Sequence, residues 1–100
     1  MEYKKIEYLV YNQNLINKNL YSNKKDYYLK LDEMLINNLQ KCINKNIPLE
    51  INEEELSKIY KIYLKLLKNN YNIENNFINK LINLSQKKLD YLALIREITE

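Results

Sequence analysis

An all-α fold is what this chain predicts, and three observations carry the prediction. Apolar residues recur at helical spacing over most of its 100 residues. Glycine is absent and proline occurs once, so the tight turns of a many-stranded β protein lack their usual residues. The segment Asn52-Glu53-Glu54-Glu55 reads as a helix start. Two architectures fit: a long antiparallel helical hairpin, or a three-helix bundle with an extended C-terminal helix. Either way residues 1–100 are expected to form a single helical domain, with helices at about 3–21, 24–46 and 53–98 and a loop at 47–52.

Each element has its own signal. Ile6, Leu9, Val10, Gln13, Ile16 and Leu20 form the stripe of the first helix. Tyr27, Leu31, Met34, Leu35, Asn38, Leu39 and Cys42 form that of the second. Between them, Ser22 or Asn23 can cap a new helix. The steps from Leu20 through Lys24 to Tyr27 also keep helical phase, so turn and continuous helix both stay open at residues 21–25. Pro48 pushes Ile47 out of helical geometry and ends what precedes it. Asn52 with Glu55 three residues on is a capping-box pattern, and three glutamates there suit the positive end of a helix dipole.

From Glu53 onward, Leu56, Tyr63, Asn70, Phe77, Leu84, Tyr91 and Ile98 recur every seven residues. Ile59, Leu66, Ile73 and Leu94 fill the position three later, and Tyr60, Leu67, Leu81 and Ile95 widen the stripe. About 45 residues of unbroken helix would be roughly 68 Å long. A second apolar line, Leu64, Tyr71, Ile78, Ile82, Leu89 and Leu92, lies on another face of that helix. Two lines mean two neighbours: flanking helices, a second copy, or an amphipathic segment of a partner protein. These six residues are the candidate partner-binding site. Of the ten tyrosines, Tyr27, Tyr60 and Tyr63 fall in the main stripes, whereas Tyr8, Tyr11, Tyr28 and Tyr71 lie off them and suit an interface.

Composition removes much chemistry. With no histidine there is no imidazole base and no ordinary zinc site. With no glycine there is no phosphate-cradling loop. No catalytic residue, metal or cofactor is expected. The net charge is +3, and lysine exceeds arginine 15 to 1 with the lysines scattered, which argues against nucleic-acid binding. One cysteine, Cys42, cannot form an intrachain disulfide, and it falls in an apolar stripe beside Leu39 and Ile43. The first residues lack the apolar core of a signal peptide, and no window reaches the length of a membrane span. A cytoplasmic location is expected. The 17 asparagines, 15 lysines and 13 isoleucines match the codon bias of an AT-rich genome, which discounts them as functional signals.

The run Ser85-Gln86-Lys87-Lys88-Leu89-Asp90 loosely resembles the Ser-Gln-x-Leu-Asp motif of small sporulation phosphatases, which leaves a phosphatase-like helical regulator as a further alternative. Here serine and aspartate stand five apart, about 140° around a helix, and do not face one way. Another likeness covers more of the chain. Asn52-Glu53-Glu54-Glu55-Leu56-Ser57-Lys58-Ile59, then Ile62, Leu66, Tyr71-Asn72-Ile73-Glu74 and Leu81, lead to Leu84-Ser85-Gln86-Lys87-Lys88-Leu89. Together with Asp26-Tyr27-Tyr28-Leu29-Lys30-Leu31-Asp32-Glu33-Met34-Leu35-Ile36, this resembles the small flagellar export chaperones of the FliT type over about residues 23–98. The ending Ala93-Leu94-Ile95-Arg96-Glu97-Ile98 departs from that family's pattern. The resemblance implies a non-enzymatic, cofactor-free cytoplasmic chaperone that binds the amphipathic C-terminal helix of a flagellar export substrate. The competing expectation is a coiled-coil structural or regulatory protein, acting as a homodimer or by masking a partner.

Overall fold

A computed structural model describes residues 4–5 and 24–99. Among the described residues four helices carry the fold: α1 (Lys24–Asn44), α2 (Glu53–Lys68), α3 (Phe77–Leu84) and α4 (Lys88–Thr99). Two short strands, β1 (Lys4–Lys5) and β2 (Leu49–Glu50), pair in parallel, Lys4 opposite Leu49 and Lys5 opposite Glu50. The architecture is an all-α helical bundle, as the hydrophobic spacing predicts.

The hairpin at Pro48 is present in shortened form. α1 and α2 pack on each other antiparallel, and Asp32 early in α1 pairs with Lys65 late in α2. Asn52 caps α2 as the sequence indicates. Its side chain accepts from the Glu55 amide at 2.7 Å, and the Glu55 carboxylate accepts from the Asn52 amide at 3.1 Å.

The continuous helix over 53–98 is corrected. The chain breaks after Lys68 and again at Ser85, giving three helices, and the longest extent of the molecule is 41 Å. The first break is a Schellman motif built on asparagine. The Tyr71 amide donates to the Leu66 carbonyl at 3.0 Å and the Asn70 amide to the Leu67 carbonyl at 3.1 Å. Asn70 sits at φ 66°, the left-handed conformation that this motif needs. The same device ends α1. The Ile47 amide donates to the Cys42 carbonyl at 2.9 Å, the Asn46 amide to the Ile43 carbonyl at 3.1 Å, and Asn46 has φ 53°. In a chain without glycine, asparagine is the residue that enters this region at least cost. Asn70→Ala is therefore expected to lower stability by about 1 kcal/mol and Asn70→Gly to leave it unchanged or raise it. Urea unfolding of the two variants checks this, and equal losses would show that the left-handed geometry is not what holds the break.

The second break has a different cause. Ser85 is extended, its hydroxyl donates to the Ile82 carbonyl at 2.7 Å, and its backbone bridges Leu49 in parallel. Leu49 thus has β1 on one side and Ser85 on the other, and its side chain is fully buried. Strand pairing at Lys4–Lys5 also corrects the helix expected from residue 3. The backbone there finds its partner on β2. The rest of that helix, and the question at residues 21–23, lie outside the described residues.

The core draws on every described helix. α1 contributes Ile36 and Leu39, α2 contributes Leu56, Ile59 and Leu66, α3 contributes Phe77 and Leu81, and α4 contributes Tyr91. Phe77 stacks on Tyr63 with ring centroids 5.7 Å apart, which fixes the start of α3 against α2. Glu74 pairs with Lys80 and ties the preceding loop to α3. α4 packs on both α2 and α3.

Candidate functional site

α4 is the short helix whose two sides demand an account. Tyr91, Leu94, Ile95 and Ile98 stand at i, i+3, i+4 and i+7 and turn toward the bundle. Tyr91 is fully buried, the other three are half-buried, and Leu94 and Ile95 pack on the core. Leu89, Leu92, Ala93 and Arg96 repeat the same spacing two residues earlier. At about 100° per residue the two lines lie roughly 160° apart. All four residues of the second line are exposed, Leu89 at 80% and Leu92 at 38%. A surface helix ordinarily carries one apolar line, on the side that faces its core. α4 carries a second, shorter one, Leu89, Leu92 and Ala93, which faces water and ends at the cationic Arg96.

The six expected partner-binding residues do not form one face. The breaks place Leu64 on α2, Tyr71 in the loop, Ile78 and Ile82 on α3, and Leu89 and Leu92 on α4. Ile78 and Ile82 are corrected outright. They are 8% and 1% exposed and belong to the core, because the break at Asn69-Asn70 resets the helical phase before them. Leu64 is exposed at 39%, as is Leu67, which its place in the main stripe assigns to the interior. Tyr71 is half-buried and follows the Schellman turn. Sequence reasoning missed Ala93 and Arg96 as companions of Leu89 and Leu92, although the four-residue spacing was there to be read. Among the tyrosines, Tyr28 is exposed, Tyr27, Tyr60 and Tyr63 are half-buried, and Tyr8 and Tyr11 lie outside the described residues.

A cleft of about 170 Å³ lies between Glu33, Ile36 and Asn37 of α1 and Leu66, Tyr71 and Ile73. Small-molecule sites usually enclose about 300–1,000 Å³. This dimple is where the turn after α2 meets α1, too small for a substrate of ordinary size.

The titratable groups of the described residues are scattered rather than gathered at one point. Among the described residues no group of three or more cysteine, aspartate or glutamate side chains is placed to hold a metal ion. Cys42 is buried. Ser85 is buried with its hydroxyl directed to Ile82, whereas Asp90 is exposed on the next helix, so the two do not form a phosphatase-like pair. Burial pushes the Tyr91 phenol above its ordinary range, and Glu55, Glu53 and Asp90 add to the shift by charge repulsion. Those partners also place the start of α4 beside the start of α2. No described helix is long and apolar enough to cross a membrane.

Comparison with known proteins gives no match to a family model, to a curated protein or to a solved structure.

Proposed function

We propose that this chain is a non-enzymatic helical binding protein that holds an amphipathic helix of a partner against the outward line of α4. The observation that carries this reading is the doubled apolar face. Leu89, Leu92 and Ala93 repeat, toward solvent, the spacing by which Tyr91, Leu94 and Ile95 meet the core. That spacing is how one helix meets another. Exposed leucines there oppose solubility, and a partner that covers them turns that cost into affinity. Likeness to the FliT-type chaperones extends the reading to a client. The partner would be the C-terminal helix of a flagellar export substrate, held unpolymerised in the cytoplasm before export.

The test is a tagged pull-down from the native cytoplasm read by mass spectrometry, with Leu89→Asp/Leu92→Asp as control. Both positions are exposed, so the control is expected to fold as the parent does. Recovery of a flagellar subunit by the parent, with at least tenfold less in the control, is the expected result. Equal recovery by both chains would remove α4 as the site. Recovery of no flagellar subunit would remove the chaperone assignment.

A further inference from the structure

The outward line of α4 has edges, and they are not alike. Asp90 and Glu97 stand seven apart, so they share one edge, next to Ala93. Lys88 stands on the opposite edge. All three are exposed, and Asp90 and Glu97 belong to no ion pair among the described residues. Asp90 has a local explanation, because a carboxylate in the first turn suits the helix dipole. Glu97, two turns further on, continues the same acidic edge toward solvent.

We infer that the partner is an amphipathic helix whose apolar line is edged, on the side that meets Asp90 and Glu97, by lysine or arginine at seven-residue spacing. This rests on the helix-binding reading above and specifies its partner. Rim charges beside an apolar seam choose partner and orientation more than they add affinity. An antiparallel second copy docked through the same line is a poor occupant, because it sets the Asp90–Glu97 edge against itself. A basic-edged helix meets both carboxylates with opposite charge.

The experiment uses the full chain and two crosslinked helical peptides. They share one leucine line and differ only in carrying lysine or glutamate along one flank. Binding is followed by amide shifts of the labelled chain at low and high salt. The lysine-edged peptide is expected to bind about tenfold more tightly at low salt, as two rim pairs allow. High salt closes the gap, and so does Asp90→Asn/Glu97→Gln. Leu89→Asp/Leu92→Asp abolishes binding of both peptides. Equal affinity of the parent for the two peptides overturns the inference and leaves helix binding intact. If neither peptide shifts α4, both readings fall. A free chain that sediments as a dimer with Leu89 and Leu92 protected makes the occupant a second copy and overturns the inference too.

Discussion

Phe77→Ala is expected to lower the unfolding free energy by about 3–5 kcal/mol. Phe77 is fully buried at the first position of α3, and its ring stacks on Tyr63 of α2. Its amide donates to the Glu74 carbonyl at 3.0 Å, so the ring also sets where the loop after α2 becomes helix again. Truncation leaves a cavity at the joint between two helices that short loops hold in place, with little room to collapse. Domains of this size are stable by about 5–15 kcal/mol, so the variant sits near the limit of folding. Urea unfolding followed by circular dichroism checks this, with Leu64→Ala as a surface reference. Leu64 is 39% exposed, and its truncation is expected to change stability by no more than about 0.5 kcal/mol. Equal midpoints for the two variants would remove Phe77 from the core.

Tyr91 is expected to give opposite results for two substitutions. Tyr91→Ala removes the buried anchor of α4 and costs about 3–5 kcal/mol, as for other large aromatic truncations. Tyr91→Phe keeps the ring and removes a buried hydroxyl that has no hydrogen-bond partner among the described residues, so it is neutral or stabilising by about 1 kcal/mol. The pH dependence follows from the raised pKa. The unfolded phenol ionises near about pH 10, and the folded one only above that. Between the two values the folded state holds the extra proton, so stability falls as pH rises through that window. Below about pH 9 the group adds no slope. Tyr91→Phe lacks this loss, and its advantage over the parent should widen from pH 8 to about pH 10.5. An advantage that stays constant would mean that the phenol ionises as easily folded as unfolded.

Much of the fold was legible because local chemistry and tertiary packing agree there. Asn52 and Glu55 announce α2 and form the capping box. Leu56, Phe77 and Tyr91, read as one seven-residue series, are all fully buried, though they stand on three helices. The breaks between those helices were hidden for separate reasons. Asn69-Asn70 ends α2 by a left-handed turn usually signalled by glycine, and in a chain rich in asparagine the signal was lost in composition. Ser85 ends α3 through its bridge to Leu49, a tertiary contact that no local pattern records. The site shared this fate. That Leu89 and Leu92 share an outward face was legible because they lie within one real helix. Ile78 and Ile82 were misassigned because their phase was counted across a turn.

Leu49 sets an order of events. Its backbone meets Lys4 from one side and Ser85 from the other, partners far from it along the chain in both directions. Contacts between distant residues carry the larger loop-closure cost and form late. The α1–α2 hairpin needs only its neighbours and can assemble first. During synthesis Lys4 and Lys5 leave the ribosome well before β2 exists to receive them. The last act of folding is then the meeting of three chain segments at one buried leucine, and a chain stalled before Ser85 is made cannot complete it.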